Sequence, residues 1–170
     1  MLRNVEKFGT SDKRGRKMTH SDPFAPETGL PGVHICKSCH AVYQMKTWKS
    51  DPELYEKSLD GDHTMTVCSA CQKRQEHAPE GFLTISGDYL DQHRKDILNT
   101  LQNSADEARQ ANPLERIVKT ERADGEIMIE TTTVKLAEKL GRILSRSHQG
   151  EMEISWTGEP PTCRVSWHRD

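Results

Sequence analysis

The stretch LERIVKTERADGEIMIET, Leu114 to Thr131, decides the fold of the second half of this chain. Two strand-like runs, Leu114 to Arg122 and Glu126 to Thr131, meet at Ala123-Asp124-Gly125-Glu126. Asp-Gly between such runs is a strong signal for a two-residue hairpin turn, so an antiparallel hairpin is predicted. Upstream, Asn112-Pro113 closes a helix, because proline disfavours helical backbone in the residue before it. That helix carries Leu90, Ile97, Leu98, Leu101, Ala105 and Ala108 at helical spacing, with Asp88 as its cap and Asp91 in an acidic first turn. Ahead of it Phe82, Leu83 and Ile85 form a short strand that stops at Gly87. Downstream, Thr131, Thr132 and Thr133 offer caps for a second helix, with Leu136, Ala137, Leu140, Ile143 and Leu144 on one face and Gly150 at its end. Met152, Ile154 and Trp156 then alternate with polar residues. So do Cys163, Val165 and Trp167 beyond Gly158-Glu159-Pro160-Pro161, which predicts two half-buried strands. The order strand, helix, strand, strand, helix, strand, strand predicts an α+β domain over residues 81–170. Its plan is a split-βαβ, ferredoxin-like, antiparallel-rich sheet with both helices on one face and an extra C-terminal strand.

The first half has a different organising feature. Cys36 with Cys39, and Cys68 with Cys71, form two Cys-x-x-Cys pairs in short polar loops. Thiolates two residues apart on a tight loop supply two corners of a tetrahedron, and a second loop completes it around Zn2+. A single structural Zn2+ held by Cys36, Cys39, Cys68 and Cys71 is therefore expected, in a zinc-ribbon module over residues 33–77. Iron in a rubredoxin-like centre and thioredoxin-like redox chemistry are the competing readings; the latter needs only one pair, within a βαβ unit. His34, His40, His63 and His77 flank the loops and can replace a cysteine in principle, but four thiolates make them redundant as ligands. The 28 residues between Cys39 and Cys68 exceed ordinary ribbon spacing and require an insertion. Within it, Asp51-Pro52-Glu53 ahead of Leu54, Tyr55 and Leu59 predicts a short capped helix ending at Gly61-Asp62.

Charge runs as a gradient through the 170 residues. Net charge is +2 over residues 1–32, zero over 33–77 and −4 over 78–170. Residues 1–32 read as a flexible, disordered basic arm and linker, in which Lys13-Arg14-Gly15-Arg16-Lys17 is dense enough to neutralise phosphates. The hydrophobic fraction of 33% is low for a compact globule and fits a chain that is part arm and part metal module. The start Met-Leu-Arg-Asn has no apolar signal core, and with no spanning segment the expectation is a cytoplasmic protein without membrane contact.

Catalysis is not expected. The closing His168-Arg169-Asp170 matches a kinase tripeptide in letters alone, without a glycine-rich loop or a strand lysine context. Cys163 alternates with Val165 and Trp167, which predicts a buried, inert thiol. Glu115, Glu121, Glu126 and Glu130 stand among Arg116, Lys119 and Arg122 on the hairpin, where cross-strand charge pairing explains them. Candidate RNA contacts are Arg14, Arg16 and Lys17 in the arm and Lys37, Lys46, Lys49, Lys73 and Arg74 around the cysteine loops, with Tyr43 or Trp48 available to stack on a base.

A set of short runs resembles a known family. Asn112-Pro113-Leu114-Glu115-Arg116-Ile117, Asp124-Gly125-Glu126, Ile129-Glu130-Thr131-Thr132, Leu136-Ala137-Glu138-Lys139-Leu140-Gly141 and Gly150-Glu151-Met152-Glu153-Ile154-Ser155-Trp156 are similar to a segment of the nonsense-mediated decay protein three family. These large-ribosomal-subunit export adaptors and their archaeal relatives also carry paired Cys-x-x-Cys knuckles, and short bacterial zinc-ribbon proteins share the order of parts. The resemblance implies a metal site at the four cysteines and association with the ribosome or rRNA. It implies nothing about export, since this chain has fewer knuckles and lacks the long C-terminal extensions. The expectation is a non-enzymatic zinc-binding accessory protein of the ribosome or another structured RNA, acting in ribosome assembly or in stress and hibernation, with no small-molecule substrate. The alternative is a zinc-stabilised protein–protein adaptor without direct RNA contact, its partner met by the acidic α+β domain.

Overall fold

In the computed structural model, residues 23–25, 29–158 and 160–170 are described. The expected arm, with Arg14, Arg16 and Lys17, lies almost wholly outside them. Nine strands and four helices follow in the order β1 (His34–Cys36), β2 (Val42–Gln44), β3 (Thr47–Lys49), α1 (Pro52–Leu59), β4 (Thr64–Thr66), α2 (Ser69–Gln75), β5 (Gly81–Ser86), α3 (Asp88–Ala111), β6 (Ile117–Ala123), β7 (Glu126–Thr131), α4 (Val134–His148), β8 (Glu151–Thr157) and β9 (Thr162–His168). They build two sheets, a small one ordered β3-β2-β1-β4 and a five-stranded one ordered β6-β7-β5-β9-β8.

The larger sheet is the α+β fold that the patterning predicts. Its hairpin turns at Asp124 and Gly125, at φ values of 54° and 83°, with Ala123 paired to Glu126. Both central residues are left-handed, the geometry that keeps the twist of the flanking strands continuous. Helix α4 begins as expected: Thr133 is its cap and accepts a hydrogen bond from the Leu136 amide at 3.2 Å. The start of α3 differs from expectation. Gly87 is the cap and Asp88 is already helical, because the chain leaves β5 at φ 107°, a conformation that suits glycine.

Position of the extra strand is a further finding. Strand β9 inserts between β5 and β8 and runs parallel to β5, while β8 pairs with β9 antiparallel and takes the sheet edge. The core explains the choice. Cys163, Val165 and Trp167 of β9 are fully buried with Leu83 and Ile85 of β5 under Leu136, Leu140 and Leu144 of α4, whereas Met152 and Ile154 of β8 are only half-buried. Helix α3 adds Leu90, Ile97 and Leu101 to the same core. The thiol of Cys163 behaves as expected, pushed up to about 11 by burial and then by the charge of Glu138.

Two readings of the 114–122 run need correction. Strand β6 starts only at Ile117; Pro113 and Leu114 form a turn instead, and Glu115 and Arg116 after it are buried. Nor do the charges pair strand to strand throughout: Glu115 meets Lys135 of α4 at 2.8 Å, Lys119 pairs with Glu121 on its own strand, and Arg116 turns toward the cysteines.

Helix α4 lies tight on the sheet at Gly141, where an added Cβ would lie 2.5 Å from Val165 Cγ1 and 3.1 Å from Met152 Sδ. Gly141→Val is therefore expected to overpack the core and cost about 1–3 kcal/mol, lowering the melting temperature by several degrees in a thermal circular-dichroism scan.

Candidate metal centre

Each cysteine pair occupies a position that follows from its local sequence. Cys36 ends β1, and the chain folds back through two backbone hydrogen bonds, His40 N to Cys36 O and Cys36 N to Ala41 O, both 2.8 Å. That fold brings Cys39 round beside Cys36 and leads into β2. The second loop leaves β4, and Cys68 becomes the cap residue of α2, with Cys71 in the first turn of the helix. A bond of 2.8 Å from Lys37 N to Thr66 O ties the loops together, and the Cys68 amide donates to Cys36 Sγ at 3.3 Å. The 28 intervening residues are accommodated by the β2–β3 hairpin, α1 and β4. Helix α1 starts as expected, with Asp51 Oδ1 accepting from the Glu53 and Leu54 amides.

The four sulfur atoms all lie within 4.8 Å of one another, and Cys39 Sγ is 3.8 Å from Cys68 Sγ. A tetrahedron with metal–sulfur bonds of ~2.3 Å has an edge of ~3.8 Å, so the donor set fits a tetrahedral thiophilic cation. All five cysteines of the chain are free thiols. Crowding splits the acidities of the four. Hydrogen bonds from Cys39, then Cys68 and Cys71, hold Cys36 far below the usual thiol range. Cys39 is pulled up by Cys36, but bonds from Cys68 and Cys71 outweigh that and bring it down to about 6. Cys68 and Cys71 are pushed up, each most strongly by Cys36 and then by Cys39. Without a cation the cluster cannot ionise throughout, and a bound metal ion removes that restriction.

Among the described residues, no histidine belongs to the cluster. His34 Nε2 lies 2.8 Å from Pro31 O, His40 stacks on Tyr55, and His63 Nδ1 lies 2.9 Å from Gly61 O.

One contact has no counterpart in the sequence reading. Arg116, 5% exposed, reaches from the segment before β6 and donates from Nη1 to Cys71 Sγ at 3.6 Å. Its Nε donates to Pro113 O at 2.7 Å and its backbone amide to Thr132 Oγ1 at 2.9 Å, so both side chain and backbone of the residue are held. Burial works against its charge, but hydrogen bonding to Cys39 and the negative character of Cys39, Cys71 and Cys68 more than offset this and hold it cationic. Leu114 of the same segment packs on the cysteines beside Trp48 and Val67. Sequence separation hides the contact: Arg116 lies 45 positions after Cys71, and no periodicity connects them.

Lys73 must be withdrawn from the candidate RNA contacts. It is 2% exposed, its ammonium 2.8 Å from Glu80 Oε1 and donating to Thr132 O at 3.1 Å. Lys37, Lys46, Lys49 and Arg74 are exposed. Tyr43 is buried and Trp48 half-buried, their rings 5.3 Å apart, so both act as core of the small sheet.

Among the described residues, no helix is long and apolar enough to cross a membrane. No protein-family model matches the chain, and no curated protein matches it.

Removing Arg116 tests its place in the centre. Arg116→Met is expected to weaken metal binding roughly 10- to 100-fold in a chelator competition titration, with Arg116→Lys intermediate. Stripping the metal is expected to release amide exchange protection in residues 34–75 and also at Leu114–Arg116, read by hydrogen-exchange mass spectrometry.

Proposed function

We propose that this protein is a non-enzymatic zinc-binding accessory protein that associates with the ribosome or another structured RNA. The observation that carries the metal assignment is the closed four-sulfur cluster. It presents soft donors at tetrahedral spacing, and with all four corners taken by protein thiolates the site has the closed form of a structural zinc centre. The zinc supplies folding free energy to a module with a small core: Cys36, Ala41, Cys68, Ala70 and Cys71 around the sulfurs, with Ile35, Val42 and Tyr43 of the small sheet.

Support for RNA comes from the distribution of charge over that module. Lys37 on the first knuckle, Lys46 at the hairpin tip, Lys49 on β3 and Arg74 on α2 all remain exposed, while the module's remaining cation near the centre, Lys73, is used internally. At the tip, Met45 and Lys46 both adopt positive φ, 51° and 62°. This is the ordinary geometry of a two-residue hairpin turn, and it holds the Lys46 side chain out at the tip. Resemblance of the 112–156 runs to ribosomal export adaptors points the same way.

The reading is tested by sedimenting a lysate on a sucrose gradient, probing for this chain, and repeating after ribonuclease and after chelator. Co-migration with ribosomal particles, lost after either treatment and weakened in a K37E/K46E/K49E/R74E variant that still binds metal, is the expected result. Absence from every ribosomal fraction in growing and in starved cells refutes it. Retention that survives high salt points instead to a protein–protein adaptor, because phosphate contacts weaken steeply as salt rises.

A further inference from the structure

The two edges of the five-stranded sheet are built differently. Strand β6, on one side, carries Lys119 and Arg122 and a register shift between Ile117 and Lys119. Charges and bulges of this kind are how sheets prevent another strand from adding to an edge. Strand β8, on the other side, has no bulge and no cation, and its charges are Glu151 and Glu153 alone. Its residues, Glu151-Met152-Glu153-Ile154-Ser155-Trp156-Thr157, include no lysine, arginine or proline, and all seven pair with β9 in an unbroken register. Among the described residues no strand lies against its outer edge. At the end of this strand Trp156 is 46% exposed, on the same face of the sheet as the half-buried Met152 and Ile154.

We infer that β8 is the homodimer interface, pairing antiparallel with β8 of a second copy to make one continuous ten-stranded sheet. Residues directly opposite across an antiparallel pair share a face, so a two-fold axis must fall on a residue for the helix sides of both copies to coincide. Charge and the length of strand paired together select which residue. An axis at Glu153 sets Glu153 against itself and pairs only part of the strand. An axis at Ile154 pairs the full strand: Glu151 meets Thr157, Met152 meets Trp156 and Glu153 meets Ser155, each twice by symmetry, with no like charges directly opposed. Each exposed indole then covers the methionine of the other copy, an aromatic contact of the kind that stabilises cross-strand pairs. The occupant that fits this edge is thus a second copy of the same strand.

Ser155 gives a test whose sign separates dimerisation from folding. Within one copy Ser155 lies opposite Arg164 of β9, and between copies it lies opposite Glu153. Ser155→Glu therefore favours the isolated fold and disfavours the dimer, and Ser155→Lys does the reverse. Sedimentation equilibrium of the full metal-loaded chain should show a dimer, weakened roughly three- to tenfold by Ser155→Glu and tightened by Ser155→Lys. Melting temperatures of the monomeric species should shift in the opposite order. A wild-type chain that stays monomeric at the highest concentration reached overturns the inference, since the edge is then free or covered by another segment. A dimer indifferent to both substitutions also overturns it, because a different surface then carries the association.

Discussion

Contact between the Arg116 guanidinium and the cysteine sulfurs is the constraint on which the arrangement of this molecule depends. Four thiolates around a divalent cation leave net negative charge, and burying that charge is costly unless a cation is buried with it. Here the cation comes from the other sheet. Arg116 belongs to the segment that leads into β6, and its backbone is held by Thr132 at the end of β7, so the electrostatic requirement of the metal centre is met only when the two sheets are side by side.

Neighbouring contacts reinforce the same seam. Lys73 of α2 crosses in the opposite sense, placing its ammonium between Glu80 and the Thr132 carbonyl, and Leu114 covers the sulfur cluster with apolar surface. Thr132 thereby serves three partners: its hydroxyl donates to Leu114 O at 2.6 Å and accepts from the Arg116 amide, while its carbonyl accepts from Lys73. A module with so small a core gains from such docking, since little of its own apolar surface is buried. A metal ion held by the four cysteines would thus be coupled to the packing of the two sheets.

Surface chemistry divides along the same seam. The five-stranded sheet covers one face with α3 and α4 and leaves on the other Glu121, Glu126, Glu130, Glu151 and Glu153, relieved by Lys119 and by Arg164 stacked 4.6 Å from the Phe82 ring. The exposed cations of the metal module lie on the smaller sheet and its helices. Exposed positive charge is thus concentrated on the small module and negative charge on the open face of the larger sheet.

Much of the fold was legible in the sequence because it rests on local rules. Alternation marked β8 and β9, helical spacing marked α3 and α4, Asp124-Gly125 marked the hairpin, and the Asp51-Pro52 start marked α1. The four sulfur donors were legible for a related reason: two residues between cysteines is itself the geometry of a knuckle. Strands β1 to β4 were not, since three residues hold no readable period. Tertiary structure alone decided what depends on distant partners. It set β9 inside the sheet and β8 at its edge, although both alternate equally well, because only Cys163, Val165 and Trp167 fit beneath α4. It turned Leu114, Glu115 and Arg116 out of the predicted strand, because an arginine opposite a buried sulfur cluster is held more strongly than one in an exposed ladder. The sequence by itself determined which residues can bind a metal; where its charge is balanced was decided only by folding, since Coulomb attraction depends on distance in space and leaves no spacing in the chain.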